Sequence, residues 1–241
     1  MAEFDRSTYA ARAGSAAVID EGLRSYMLRV YNYMGIGLVV TGVVAFFFNQ
    51  WVMSDPAIAQ AVYGSPLMWV LALSPLAFVL ALSFGLEKMS VPTAQMVFWA
   101  FAAVMGLSLS SIFTVYTDAS IAKVFFITAA TFGSMSLYGY TTKRDLTGMG
   151  SFLFMGLIGL IIAMVVNIFM QSSALEFAIS AVGVLIFVGL TAYDTQKIKE
   201  SYSASHGADV LGRNAIRGAL SLYLDFINLF MMLLRLFGNR E

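Results

Sequence analysis

Long stretches in which apolar residues cover every helical face recur along the chain. They lie at roughly residues 27 to 49, 67 to 86, 94 to 117, 121 to 141, 150 to 171, 175 to 195 and 215 to 236. Each approaches the ~20 residues that a helix needs to cross a hydrocarbon core of ~30 Å. Buried strands would show strict alternation or short apolar runs, whereas these segments are long and apolar all round, so the pattern predicts spanning helices. The expected fold class is an all-α integral membrane protein, a single bundle of seven transmembrane helices over residues 27–236. An N-terminal arm (1–26) and a short tail (237–241) flank it. The fourth stretch is only moderately apolar, with Lys123 near its start and Thr128, Thr131, Gly133, Ser134, Ser136 and Gly139 within it, which fits a helix facing the bundle. A connection of a few residues around Asp118, Ala119 and Ser120 makes the third and fourth helices antiparallel neighbours.

Composition supports that pattern. Of 241 residues, 59% are hydrophobic and 12% charged, against about 25% charged in soluble domains. Fourteen basic and fourteen acidic residues cancel, so no overall field draws the chain to nucleic acid. With no cysteine there are no disulfides and no thiolate metal sites. The arm mixes Glu3, Asp5, Arg6, Arg12, Asp20, Glu21 and Arg24 with small residues, without the basic start and apolar middle of a cleaved signal, and is read as solvated and retained. With the N-terminus inside, the inner side collects Arg6, Arg12, Arg24, Arg29, Lys88, Lys143, Arg144, Lys197, Lys199, Arg213 and Arg217, and the outer side only Lys123, Arg235 and Arg240. That bias orients the bundle with a cytoplasmic N-terminus, and seven spans then place Glu241 outside.

Little in the chain points to catalysis. There is one histidine, no His-Glu-x-x-His and no Gly-x-Ser-x-Gly elbow, so no catalytic residue and no cofactor is expected. His206, in a polar stretch, reads as a solvated loop residue. The many glycines in the spans read as close helix packing, and the 15 methionines as adaptable core rather than metal ligands. Asp225 differs. It stands near the middle of the last span, where insertion of an aspartate costs about 2.5 to 3.5 kcal/mol. Ser221, Asp225 and Asn228 share one helical stripe, a polar face that should turn inward and make this helix a central member. The alternative for Asp225 is a structural hydrogen bond between helices.

Asp194 closes the sixth stretch and either pairs at the interface with Lys197 or Lys199, or reaches Asp225. From the expected span ends, Asp225 sits about 15 Å into its helix, so a meeting of the two requires tilt or a late start to the last span. Two carboxylates in a weakly solvated cavity do not both ionise easily and should titrate as a unit, a proton sensor. The same oxygens, joined by Asn228 or a freed carbonyl, suit a weakly held, partly hydrated Ca²⁺.

The run Gly189 to Gln196, Gly-Leu-Thr-Ala-Tyr-Asp-Thr-Gln, resembles the signature of the Bax inhibitor-1 (transmembrane Bax inhibitor motif) family. Ser74 to Gly85, Tyr138 to Asp145 and Leu220 to Phe230 are similar to its bacterial branch. The resemblance implies a seven-helix fold with the last helix at the centre, an aspartate pair acting as pH sensor, here Asp194 and Asp225, and a calcium leak across the membrane. The second span departs from the pattern in having no basic residue between Leu67 and Leu86, so an arginine latch must come from elsewhere. The expectation is thus a pH-sensitive, calcium-permeable leak channel in a bacterial inner membrane, with lipid, Ca²⁺ and protons as its partners. Two rivals are a membrane-embedded regulator that binds an ATP-dependent membrane protease through the N-terminal arm, and a proton-coupled transporter using the same aspartates.

Overall fold

A computed structural model of the chain describes residues 2–240, with side chains from residue 21 onward. The arm residues before Glu21 and the terminal Glu241, on which parts of the expected topology fall, therefore lie outside the described side chains. Seven helices are long and apolar enough to cross a membrane. They are α1 (Ala2–Met53), α3 (Leu67–Gly85), α4 (Val91–Leu109), α6 (Asp118–Thr141), α7 (Thr147–Met170), α8 (Ser173–Glu200) and α9 (Ala208–Phe237). Within α1 the spanning part is Glu21–Met53. The chain is an all-α, multi-pass membrane protein.

Helix ends fall where the sequence supplies caps. Ser90, Thr117 and Ser172 each accept a hydrogen bond from the N–H three residues on, at 3.3 Å, and so start α4, α6 and α8. Between α7 and α8 the turn is only Gln171 and Ser172. Gln171 takes a left-handed φ of 49° while Asn167 Oδ1 accepts the Ser172 N–H at 3.0 Å, which closes the hairpin tightly. Two short helices do not follow from hydropathy. One is α2 (Pro56–Tyr63), capped by Asp55, whose Oδ1 accepts the Ala57 N–H at 2.8 Å. The other is α5 (Ile112–Val115), cut from the end of the third span at Ser110 and Ser111. Tyr63 of α2 bonds Ser110 at that break, at 2.9 Å.

Among the spanning segments α9 has the largest share of buried residues and α7 the smallest. The neighbours of α9 are α1, α4, α6 and α8, and α8 also contacts α7 and α6. A polar knot ties three helices: the Tyr223 hydroxyl of α9 shares a 2.6 Å hydrogen bond with Thr41 of α1, which donates at 2.8 Å to the Ala102 carbonyl of α4. Phe98 and Phe101 stack edge-on against the Tyr223 ring. The fourth span is inward-facing only in part. Ser120, Val124, Thr128, Phe132, Ser136 and Gly139 form its buried stripe, whereas Gly133 and Ser134 face outward. Ser134 needs no neighbour because its hydroxyl donates to the Ala130 carbonyl of its own helix at 2.8 Å. Gly139 marks the closest approach of α6 to α8, since a Cβ there would lie 2.2 Å from the Ala192 carbonyl oxygen.

Five spans separate Ser54, after α1, from Ser203, between α8 and α9, so the two connections lie on opposite faces of a bilayer. Cysteines introduced at the two positions are expected to label from opposite sides in intact cells and inverted vesicles. The native chain has no cysteine to confuse the readout. Labelling of both from one side would refute the seven-span arrangement.

Candidate functional site

Both aspartates lie well within helices. The sixth span does not close at Asp194, because α8 continues to Glu200, and α9 begins at Ala208. Their relative height follows from the packing of Gly218 against Ile198, where a Cβ on the glycine would lie 3.0 Å from the isoleucine side chain. From that contact Asp225 lies seven residues along α9, about 10 Å, and Asp194 four residues back along α8, about 6 Å, in the same direction. The remaining offset is about 4 Å, which side chains bridge. The larger offset expected from the sequence disappears because α9, which begins at Ala208 and not near residue 215, overhangs the end of α8.

Asp194 and Asp225 are neighbours on one cavity wall, and Ser221 lies beside them. They face a cavity of about 640 Å³ between α7, α8 and α9. Ser221, Asp225 and Asn228 all line it, as their shared stripe predicts, together with Ser151 and Phe154 of α7 and Tyr193 and Lys197 of α8. Asp225 is 6% exposed. Its Oδ2 is the one buried side-chain polar atom without a hydrogen-bond partner among the described residues. Asn228 donates its amide back to the Leu224 carbonyl at 2.8 Å, so it borders the cavity without engaging either carboxyl through that group.

Neither Lys197 nor Lys199 forms an ion pair with Asp194 among the described residues. Lys199 donates to the Tyr140 carbonyl of α6 at 2.8 Å, and Lys197 stands over the Tyr193 ring, 5.7 Å from its centre. The two ion pairs among the described residues are Arg217 with Glu87 and Arg240 with Glu176. No group of three or more acidic or histidine residues suited to a metal occurs among the described residues. His206 is exposed in the connection between α8 and α9.

Two smaller cavities share lining residues with the first. One of about 180 Å³ shares Asp194, Lys197 and Ser221 with it and reaches Ser201 and Arg217. Another of about 200 Å³ shares Ser221 and Arg217 and reaches Leu82 and Ser83 of α3. Ser221 thus borders all three, and the 180 Å³ cavity lies on the side of Asp194 toward Ser201.

Neighbouring residues of the Gly189–Gln196 run face different ways. Gln196 clamps the α6–α7 turn, accepting from Leu146 N–H and donating to Arg144 carbonyl, each at 2.8 Å. Thr195 bonds Ser136 at 2.9 Å, and Ser136 bonds Tyr31 of α1 at 2.6 Å. The turn is closed from its other side by Asp145, which accepts the Thr147 N–H at 2.8 Å. Hydrogen bonds from the Thr147 hydroxyl and N–H hold the Asp145 carboxyl below the usual carboxylate range. The parts played by Gln196, Tyr223 and Thr41 did not emerge from the sequence. Gln196 had one available signal, a polar amide on the same helix as Asp194, before the basic end of the span.

Residues 23–241 match the family model described as inhibitor of apoptosis-promoting Bax1. The chain is 48% identical over 222 residues to an uncharacterised protein of Rickettsia prowazekii, with 92% of each chain covered. It is also 48% identical over 223 residues to the inner membrane protein YbhL of Escherichia coli, covering 91% of this chain and 94% of that one. An uncharacterised protein of Caulobacter vibrioides is 45% identical over 249 residues, covering 99% of this chain.

Removal of the Gln196 clamp leaves a buried N–H and a carbonyl unpaired, a loss of about 1–3 kcal/mol for each group. Gln196→Ala is therefore expected to lower the melting temperature in detergent by several degrees, whereas Asp194→Asn, two residues away, should leave it nearly unchanged. Equal melting of Gln196→Ala and the parent would remove the clamp from the account.

Proposed function

This chain belongs to the Bax inhibitor-1 family, and on that footing we propose that it is a pH-sensitive, calcium-permeable leak channel of a bacterial inner membrane, gated by Asp194 and Asp225. The observation that carries the reading is the meeting of two carboxyl groups from adjacent spanning helices in one cavity, with an oxygen of the deeper one left without a protein partner. Two neighbouring carboxylates out of water repel each other and lack hydration, so the pair is stable with one shared proton or with a cation between them. Proton and cation then compete for the same oxygens, and pH governs permeation. Two carboxylates without a third acidic ligand bind a hard, partly hydrated divalent ion weakly, which suits passage rather than storage. Inner-membrane residence accords with the relative YbhL, which is named an inner membrane protein. The cavities that Ser221 borders lie on the side of the pair toward the α8–α9 end of the bundle, which supports a route in that direction.

The rival reading, a regulator docking on a membrane protease, puts the working surface on the N-terminal arm instead. Deletion of residues 1–22 separates the two, since a channel retains its flux without the arm and a docking protein loses its partner.

The central test is calcium flux in liposomes between pH 5 and 9. Wild-type flux is expected to change across that range, and Asp225→Asn and Asp194→Asn, which keep shape but do not titrate, should each flatten it. A pair coupled by more than about one pK unit, or about 1.4 kcal/mol, should make the double variant resemble either single one. Retention of the wild-type pH profile in the double variant would exclude the pair as the sensor. Ser221→Leu is expected to cut flux at every pH by filling the cavity beside the pair.

A further inference from the structure

A second large cavity, of about 550 Å³, lies between α1 and α6. Its floor is buried: Met27 and Phe132 are 3% and 5% exposed, and the Phe132 ring stacks against Phe226 of α9. Its rims face outward, Leu28 on α1 and Leu137 on α6 being 51% and 64% exposed. Gly133 lies between floor and rim, and a Cβ there would meet nothing within 4 Å. The two walls are joined at depth by the 2.6 Å hydrogen bond between the Tyr31 and Ser136 hydroxyls. The groove is therefore a side slot in the membrane-spanning surface, open toward lipid chains and closed toward the core.

One end of the slot is polar and basic. Arg24, near the start of the spanning part of α1, and Tyr140, next to the last residue of α6, line that end. Lys199 of α8 stands against Tyr140 at that end. Its ammonium donates to the Tyr140 carbonyl at 2.8 Å and lies 5.2 Å from the centre of the Tyr140 ring, which leaves two of its three donors for another acceptor. No acidic residue lines the slot among the described residues, and Glu21, three residues before Arg24, lines a neighbouring depression instead. An apolar trough that opens on the hydrocarbon and ends at a guanidinium, with an ammonium against the Tyr140 that lines the same end, complements one kind of occupant. That occupant has an apolar chain and a singly negative head at the membrane interface.

We propose that the α1–α6 groove is a binding site for an anionic phospholipid, with one acyl chain over Phe132 and Gly133 and the phosphate held by Arg24 and Lys199. The chain enters from the bilayer, not from water, because both rims belong to spanning helices. From Arg24 to Tyr31 the slot runs about 10 Å along α1, so the Tyr31–Ser136 hydrogen bond lies beneath the chain rather than beside the head.

The test uses the purified full chain, exchanged into an equimolar mixture of phosphatidylglycerol and phosphatidylcholine and read by native mass spectrometry at rising activation. Wild type is expected to retain one lipid, with phosphatidylglycerol favoured. Arg24→Gln should reduce that preference about fivefold, the effect of one basic residue near an anionic surface, while leaving phosphatidylcholine retention unchanged. Gly133→Leu fills the slot and should abolish retention of both lipids. Gly133→Ala, expected to weaken it partly, is the substitute if the leucine variant does not fold. Arg29→Gln, on the same helix but outside the slot, is the control and should behave as wild type. An unchanged preference in Arg24→Gln, an equal loss in Arg29→Gln, or wild-type retention in a folded Gly133 variant would each overturn the assignment.

Discussion

Hydrocarbon supplies no hydrogen bonds, and a polar group left unpaired in it costs several kcal/mol. This constraint accounts for the helices themselves and for nearly every side-chain hydroxyl within them. Thr128, Thr131 and Thr191 donate to the carbonyl four residues back, at 2.7 to 2.9 Å, so each can sit in a span whether it faces the bundle or the lipid. Groups too large to fold back on their own helix are paired across helices, as in Tyr223 with Thr41, Tyr31 with Ser136 and Gln196 with the α6–α7 turn. Against that background Asp225 Oδ2 stands out, being buried and unpaired among the described groups.

The two sides of α9 do opposite things. Tyr223 and Asp225 are two residues apart, about 200° around the helix, and so face opposite ways. Tyr223 is locked by a hydroxyl network and two stacked phenyl rings to α1 and α4. Asp225 faces a cavity of about 640 Å³ whose other walls are α7 and α8. The fixed side sets the height and rotation of the helix, and the open side presents the carboxyl. A similar division runs through the Gly189–Gln196 run, where Thr195 and Gln196 bond to packing partners while Asp194 borders the cavity.

Much of this was legible in the sequence. Apolar length alone located the seven spans, because a bilayer imposes a minimum length that few other environments demand. The stripe of Ser221, Asp225 and Asn228 was legible because helical periodicity is rigid over seven residues. The inward turn of all the small polar residues in α6 was not, since Gly133 and Ser134 face outward, and a serine bonded to its own helix carries no signal of which way it points. The short helices α2 and α5 were also hidden, the first by its length and the second because a backbone break at two serines barely alters hydropathy. Contact between Asp194 and Asp225 depended on the register of two helices, which is set by how far α9 overhangs α8. Local patterns do not encode that distance, although Gly218, by admitting Ile198, is the residue through which it is fixed.

The missing basic residue in the second span changes how charge at the site is balanced. Arg217 borders the two smaller cavities but is already engaged with Glu87 at 3.2 Å, at the end of α3. Lys197 borders both cavities that contain Asp194, yet it is exposed and makes no ion pair with it. A solvated ammonium at that range gives weak, screened compensation, and it reaches the shallower carboxyl before the deeper one. The compensation of Asp225 is therefore left to a proton shared with Asp194 or to whatever small polar species enters the cavity. Among the described residues the other buried side-chain polar atoms are satisfied internally, so at Asp225 Oδ2 a proton, a water or a cation finds a waiting partner.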